Sequence, residues 1–517
     1  MCTRDWRQLR EKTRAANHAG SERYDLRLYH AARAWEDATG QPAPVRRARA
    51  FAAAMDNLPL HMYDNDRFAG SRVGYSSATL PDGVSEAEYA RLAERFAREG
   101  RRNFLAGHDH TLGDYQRLLA EGLGGTLDRL RNSRGRCSSA TQQTFLDGAE
   151  IALDGFTRFI TRYAEVWKKK FAGDTYAASL HRLATGAPRN MHEAMQLVWF
   201  VHMAFVADFR GANALGRMDQ YLLPFYQSDV EKGIIDREGA LDLVCHLWSK
   251  IEELGEVTNI CIGGMESDGA DATNELSYLM LEATRLVLSP HTNLSARFHD
   301  SSPERFHREC FETIRTGVGF PAIFNDHVNI PAMKKLGIPS ERASDHCMVG
   351  CIEPMLPGRQ PAWSDSRFNM ARVLLETVRH VNGQPSLDEM LEDFFERVDR
   401  GLARHTDWVR DFIAKYPAEK FPDPFLSALT RDCLERGRDI NAGGAEYPRF
   451  HGVAFMGLAT VVDSFSAIRT HILESGDLSF EKLCTELARD FRDDPQTYAR
   501  LQHRTPHYGN GNPDVDA

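Results

Sequence analysis

The sequence lacks several patterns that mark common functional classes. Its nine cysteines include no Cys-x-x-Cys pair, which argues against a structural zinc or iron–sulfur site. Neither Gly-x-Gly-x-x-Gly nor Gly-Lys-Ser/Thr occurs, so no phosphate-binding loop is predicted. Basic residues are not in excess, since the net charge is -10 and the pI is near 6.1. A nucleic-acid partner is therefore not expected.

Long apolar runs are absent as well. No stretch of the sequence approaches the length of a membrane span, and the N-terminal residues are charged and mixed, unlike a signal peptide. The cysteines are odd in number and irregularly spaced, as is usual for a reducing compartment. We expect a cytoplasmic protein with no disulfide framework and no bound metal, whose partners are small molecules or proteins and not a membrane.

The 517 residues, 42% of them apolar and 26% charged, have the composition of a globular protein with a large core. Helical patterns dominate from Asp5 to about Lys170. From Arg189 onward, helices that begin near Asp236 and Asn274 alternate with three short strand candidates: Thr258 to Ile262, Asn293 to Phe298, and Ala322 to Asn325. This alternation predicts an α/β protein with a mostly parallel sheet, open or closed into a barrel, and with its chemistry at the strand ends.

Several polar loops lie between these elements. One Gly-bounded loop carries His108 and His110, and the residues alone favour a surface loop with solvated imidazoles. Arg217 and Asp219 lie near another loop, where a structural ion pair is the simpler interpretation. Asn325 is the last residue of a strand candidate, and so it belongs to the strand-end positions at which binding residues are expected.

The segment Cys347 to Pro354 pairs a thiol with a carboxylate on a short turn. Gly350 permits the turn, Pro354 stiffens its exit, and the spacing predicts that Cys351 and Glu353 face one pocket. Burial would raise the pKa of Glu353 toward the range of a useful general base. The competing interpretation is a small buried cysteine beside a solvated carboxylate.

Ordered motifs along the whole chain resemble the glycyl radical enzymes of the pyruvate formate-lyase-like superfamily. The resemblance implies a single domain over 1–517: a ten-stranded α/β barrel of two parallel half-barrels surrounded by helices, with 1–188 mainly helical and 189–517 forming the barrel core. The motifs are Gly216 to Tyr221, Asn274 to Tyr278, Phe324-Asn325-Asp326, Gly350 to Pro354, Trp363-Ser364-Asp365, Phe368-Asn369-Met370, Asp463-Ser464 and Tyr508-Gly509-Asn510.

The resemblance also implies roles for individual residues. Cys351 matches the cysteine that becomes a thiyl radical, Glu353 the base that deprotonates a substrate hydroxyl, and Asp365 the acid that protonates the leaving group. His110 matches a loop histidine and is expected to bind substrate, with His108 as the alternative register. Gly-Cys-Ile-Glu is similar to the dehydratase and carbon–heteroatom lyase branch, which includes choline, glycerol, hydroxyproline and isethionate enzymes. A second cysteine in place of the isoleucine would have indicated an acyl-transferring enzyme.

Two departures from the family pattern affect these expectations. Many diol-type members carry a His-Ser pair where this chain has Gly211 to Ala214, so hydroxyl recognition must differ, and we expect Asn213, Arg217 and Asn325 to contribute. No Arg-Val-x-Gly-Tyr radical loop occurs in the sequence. Arg72 to Ser76 lacks the spacer residue, and turn geometry explains its glycine more simply.

We therefore expect a split enzyme in which the C-terminal glycyl radical domain is absent. No cofactor would be bound directly. A small separate protein would supply the glycyl radical in trans after a radical S-adenosylmethionine enzyme installs it, and a homodimer is a further expected assembly. Two alternatives stay open: a lyase that uses Cys351, Glu353 and Asp365 without a radical, and a catalytically silent ligand-binding scaffold.

Overall fold

A computed structural model of the protein describes residues 4–18, 23–100, 110–362, 365–417, 420–448 and 451–516. The chain forms two compact units, Met1–Ser364 with Pro417–Phe450 and Asp365–Tyr416 with His451–Ala517. Within the described residues, no helix combines the length and the apolar character needed to cross a bilayer. The single domain over 1–517 stays a prediction.

The first unit opens with the predicted helical region. The longest helix of this region, Ala140–Lys170, buries one face in the core. Its fully buried residues are Phe156, Phe159, Ile160, Tyr163 and Trp167. A short antiparallel pair, β1 (Tyr24–Asp25) and β2 (Ser76–Ser77), accompanies the helices. The helices are α1 (Trp6–His18), α2 (Leu26–Asp37), α3 (Ala43–Asn57), α4 (Glu86–Glu99), α5 (Tyr115–Arg136), α6 (Ala140–Lys170), α7 (Tyr176–Leu183) and α8 (Met191–Ala207).

A parallel four-stranded sheet follows, in the order β3-β4-β5-β6. Its strands are β3 (Ala214–Gly216), β4 (Thr258–Gly263), β5 (Thr292–Phe298) and β6 (Ala322–Asn325). The connecting helices are α9 (Met218–Tyr221), α10 (Leu223–Glu231), α11 (Arg237–Leu254), α12 (Glu275–Val287) and α13 (Glu304–Thr313), which continues into a π-helical turn (Ile314–Val318). The three predicted strands are confirmed within one residue at each end, and the α/β class is confirmed with them.

The starts of two helices follow from their capping residues. Asp236 accepts a hydrogen bond from the backbone N–H of Gly239 and caps α11. Asn274 and Ser277 form a reciprocal capping box at the start of α12. Such caps satisfy the N–H groups that have no partner in the first turn of a helix, which explains why both starts could be read from the sequence.

The chain next builds a hairpin and then alternates between the two units. After α14 (Asp326–Lys335) and α15 (Ser340–Ala343) come β7 (Cys347–Val349) and β8 (Glu353–Met355), which pair antiparallel. The second unit begins with β9 (Asp365–Asn369), α16 (Met370–Arg379) and α17 (Leu387–Lys415). The chain returns to the first unit for α18 (Pro424–Ala428), α19 (Cys433–Arg436) and a 3-10 turn (Ile440–Ala442).

The remaining elements complete the second unit. They are β10 (Gly452–Met456), α20 (Leu458–Ile468) with a π-helical turn (Arg469–Glu474), α21 (Phe480–Arg489), α22 (Pro495–His503) and α23 (Pro513–Asp516). β10 pairs in parallel with β9, with Gly452 opposite Asp365. A separate apolar core that includes Leu374, Phe394 and Phe465 holds this unit together. The closed ten-stranded barrel stays a prediction.

Candidate active site

The Gly-Cys-Ile-Glu segment lies at the tip of the β7–β8 hairpin. Val349 is paired with Glu353, so Gly350, Cys351 and Ile352 form the turn. Gly350 has a φ of +55°, and a Cβ at this position would lie 2.2 Å from Nδ1 of His110 and 2.7 Å from Oε2 of Glu353. Glycine is required here both by the left-handed backbone and by the close approach of two side chains.

The two reactive residues of the segment have different surroundings. Cys351 is exposed, whereas only 7% of Glu353 is exposed. In an extended backbone the side chains of residues i and i+2 point the same way. That rule does not apply here, because Cys351 lies in the turn and Glu353 begins a strand.

The carboxylate of Glu353 binds the backbone of the turn. Its Oε2 accepts hydrogen bonds from the backbone N–H groups of Cys351 (2.8 Å) and Ile352 (2.9 Å). Its Oε1 lies 3.6 Å from Nδ1 of the buried His110. The structure thus brings together three residues that the resemblance singled out: a cysteine, a carboxylate and a histidine from a distant part of the sequence.

The pKa of Glu353 is shifted in the direction opposite to the sequence prediction. Burial raises the pKa of this carboxyl, but the neighbouring His110 side chain and the backbone amide of Ile352 stabilise the charged form and outweigh burial. The net pKa lies below the ordinary value, and the prediction of a raised pKa is wrong. Glu353 is therefore ionised at neutral pH, ready to accept a proton but weaker as a base than an unperturbed carboxylate.

His110 is held in place by its neighbours in sequence. The carbonyl of Thr111 accepts a hydrogen bond from the backbone N–H of Ala214, which ties this segment to the start of β3. Asp114 caps α5 and also forms an ion pair of 2.6 Å with Arg431. His108, the alternative register, lies outside the described residues.

The other proposed binding residues make hydrogen bonds to backbone groups of the protein itself. Asn213 is buried and donates to the carbonyl of Arg210, and Asn325 caps α14 by accepting from the N–H of His327. Arg217 donates to the carbonyls of Ser344 and Gly263. The carboxylates nearest to its guanidinium are those of Asp345 (3.6 Å) and Glu266 (3.7 Å). A role of Asn213, Arg217 and Asn325 in substrate binding stays a prediction.

The proposed acid, Asp365, begins β9 of the second unit, where its backbone is paired with Gly452. Its side chain lies outside the described residues, so its role as an acid stays a prediction. Beside it, Oγ of Ser366 lies 2.6 Å from Nε2 of His405 and 2.9 Å from Nε2 of His451. This cluster was not predicted, since its members come from three separated segments.

Sequence reasoning also missed two asparagines that contact the cysteine turn. Nδ2 of Asn293 donates to the carbonyls of Gly350 (3.2 Å) and Cys351 (3.3 Å), and Nδ2 of Asn259 donates to the carbonyl of Gly350 (3.4 Å). Both asparagines are buried. A signal was present in the sequence: each asparagine follows a threonine at the start of a strand, and a polar residue inside a buried strand needs a partner.

A buried ion pair supports the base of the hairpin. Nε and Nη2 of Arg297 donate to Oδ1 and Oδ2 of Asp326, both at 2.8 Å, and neither side chain is exposed. Arg297 also donates to the carbonyl of His346, next to β7, and Asp326 accepts from the N–H of Met265. The hairpin is thereby tied to the ends of β4, β5 and β6, since these residues follow or end those strands.

Comparisons with known proteins place the chain in a family. The family model described as pyruvate formate lyase-like matches residues 85–517. A probable dehydratase, YbiW, of Escherichia coli is 28% identical over 473 residues, which are 80% of this chain and 58% of the relative. The isethionate sulfite-lyase of Oleidesulfovibrio alaskensis is 28% identical over 467 residues, 78% of this chain and 55% of the relative. The chain thus spans little more than half the length of these relatives.

Solved structures show the same fold. The glycerol-bound form of the B12-independent glycerol dehydratase from Clostridium butyricum superposes with a TM-score of 0.81 at 24% identity, covering 98% of this chain and 76% of that one. A glycyl radical enzyme from Archaeoglobus fulgidus gives a TM-score of 0.78 at 23% identity, with 98% and 77% covered. At these identities the likeness establishes the fold alone.

Proposed function

Because the chain belongs to the pyruvate formate lyase-like family, we propose that it is the core of a radical lyase or dehydratase that eliminates a leaving group from a small hydroxylated substrate. The observation that carries the proposal is the exposed Cys351 on a turn whose backbone N–H groups donate to the buried Glu353, beside which His110 lies. The dehydratases and sulfite-lyases among the relatives support this class of reaction.

The source of the radical would be a glycyl radical on a separate small protein, installed there by a radical S-adenosylmethionine activating enzyme. When that protein is bound, its radical would supply the abstraction of a hydrogen atom from the thiol of Cys351. One feature of this chain fits such a group: Cys351, the residue that the radical must reach, is exposed.

The residues of this chain then divide the reaction between them. Sulfur of Cys351 takes a hydrogen atom from the substrate carbon that carries the hydroxyl, so that an S–H bond forms and a C–H bond breaks. Glu353 accepts the hydroxyl proton, and the O–H electron pair stays on oxygen. The leaving group departs from the adjacent carbon with the electron pair of its bond, and a carbonyl forms. The radical left on that carbon takes the hydrogen atom back from Cys351.

Proton transfer would be shared by three side chains. Glu353 is a weak base in the free protein, but the hydroxyl next to a carbon radical is far more acidic than an ordinary alcohol, so a weak base suffices. His110 lies 3.6 Å from Oε1 of Glu353, close enough to exchange the proton after a small movement. We assign protonation of the leaving group to Asp365, following the family position.

Anaerobic reconstitution tests the proposal. The chain is mixed with a small Arg-Val-x-Gly-Tyr protein from its own organism and with the activating enzyme. It is then assayed on glycerol, choline, hydroxyproline and isethionate. We expect a glycyl doublet in electron paramagnetic resonance and turnover of one substrate. Cys351→Ser should keep the doublet and abolish turnover, whereas the control Cys484→Ser, at a partly buried cysteine in α21, should keep both.

Three outcomes would overturn parts of the proposal. Full activity of this chain alone in air would show a polar lyase without a radical. A Cys351→Ser variant with unchanged biological activity would favour a silent scaffold. Isolation from the native source of one longer polypeptide that carries both the barrel and the radical loop would remove the separate partner, while the lyase chemistry would stand.

A further inference from the structure

The turn that carries Cys351 is bound at every polar backbone atom of Gly350 and Cys351. The N–H of Gly350 donates to the carbonyl of Ala212 at 3.1 Å, and the N–H of Cys351 donates to Glu353. The carbonyls of both residues accept from asparagine side chains. A turn that is exposed at its tip would ordinarily leave several of these groups to water.

We propose that Asn259 and Asn293 are positioning residues that hold the Cys351 turn in one conformation before any substrate or radical partner binds. Neither asparagine is assigned to the chemical steps. Their proposed role is to fix the backbone from which the thiol projects, so that sulfur occupies the same place in the free protein and during reaction.

The strand register makes the two asparagines a single unit. Asn259 of β4 and Asn293 of β5 are paired neighbours in the parallel sheet, and both are buried. Oγ of Ser295 donates to Oδ1 of Asn259 at 3.1 Å, which fixes the orientation of that amide so that its Nδ2 points to Gly350. The donors are therefore mounted on the central strands of a rigid sheet, which is where precise positioning is easiest to maintain.

The chemistry of the contact requires an amide. The NH2 group of Asn293 has two hydrogens, one for each carbonyl that it reaches, and no other side chain of similar size offers two donors in this way. Aspartate would have the same shape but would place acceptor oxygens against two carbonyl oxygens. Leucine would fill the space and leave both buried carbonyls without these partners, which is unfavourable.

This positioning matters for a sulfur that must exchange hydrogen atoms with two partners. Reaction rates depend steeply on the placement of reacting atoms, and a misplacement of about 1 Å can cost about 100-fold. The inference rests on the proposed function only for its effect on turnover. The order of the turn in the free protein can be measured without any radical or substrate.

Amide hydrogen exchange and Cys351 alkylation test the inference on the intact chain. The variants are Asn293→Asp and Asn293→Leu, and the matched control is Thr292→Val, a substitution at the preceding, fully buried residue of the same strand. We expect exchange at Gly350 to Ile352 to be about tenfold faster or more in both Asn293 variants, because two hydrogen bonds are lost. The rate of alkylation of Cys351 by iodoacetamide should change in parallel, and the control should match the wild type in both.

Turnover separates positioning from a general effect on stability. In the reconstituted enzyme, Asn293→Leu should lower kcat while the KM stays within about twofold, because the sulfur and not the binding pocket is displaced. If the Asn293 variants unfold more easily but keep wild-type exchange at Gly350 to Ile352 and wild-type alkylation, the positioning role is refuted. If exchange and alkylation change as expected but no radical turnover exists, the proposed function fails and the positioning role stands.

Discussion

Substitution of Gly350 by alanine tests whether the cysteine turn and the His110–Glu353 pair form one packed unit. The backbone at Gly350 has a φ of +55°, and an added Cβ would lie 2.2 Å from Nδ1 of His110, 2.5 Å from its Cε1 and 2.7 Å from Oε2 of Glu353. Real Cβ atoms do not occur at such distances, so the imidazole or the carboxylate must move. Moving the carboxylate would break its hydrogen bonds to the turn.

The expected loss of stability in Gly350→Ala has two separate causes. A left-handed backbone costs an L-residue roughly 1–2 kcal/mol. Forcing a methyl group into a packed site typically costs a further ~1–3 kcal/mol. Gly337 provides the matched control, since its φ is +83° and a Cβ there would meet nothing within 4 Å. Gly350→Ala should therefore lower the free energy of unfolding by roughly 1–3 kcal/mol more than Gly337→Ala does.

The assay is urea unfolding followed by tryptophan fluorescence, with the wild type and both variants measured side by side. Alkylation of Cys351 supplies a local readout, because displacement of His110 or Glu353 should release the turn in Gly350→Ala alone. Equal destabilisation by the two substitutions, together with unchanged alkylation of Cys351, would refute the close packing of Gly350 against the pair.

Further outcomes are expected for Glu353, Arg297 and Asp365. Because the folded pKa of Glu353 is lowered, its charge stabilises the protein above its unfolded pKa, and this stability is lost as pH falls through the folded pKa. The stability difference between wild type and Glu353→Gln should shrink between about pH 6 and pH 3 in urea titrations, and a constant difference would contradict the lowered pKa. Arg297→Met should cost ~3–5 kcal/mol, because Asp326 would be left buried without its partner. Asp326→Asn in the same chain should recover part of this loss in a double-mutant cycle. Asp365→Asn should lower kcat about 100-fold or more while the glycyl doublet stays intact. Wild-type turnover in this variant would show that Asp365 is not the acid.

Local signals in the sequence were sufficient for much of the fold. Apolar periodicity predicted α11, which begins after Asp236, and α12, which begins after Asn274, and short apolar runs predicted β4, β5 and β6. These elements are specified by neighbouring residues, since capping and side-chain alternation act over a few positions. The Gly-Cys-Ile-Glu turn was likewise predicted, because its glycine and proline are local determinants.

The tertiary structure alone decided how the site is assembled. The contact of His110 with Glu353 and that of Asn259 and Asn293 with the cysteine turn join segments far apart in the sequence, and only the packing of the folded chain brings them together. For the same reason the pKa of Glu353 could not be predicted: burial alone raises it, and only the positions of the surrounding donors reverse the shift. The sequence determined which groups are available for the chemistry, and packing determined their charge and their orientation.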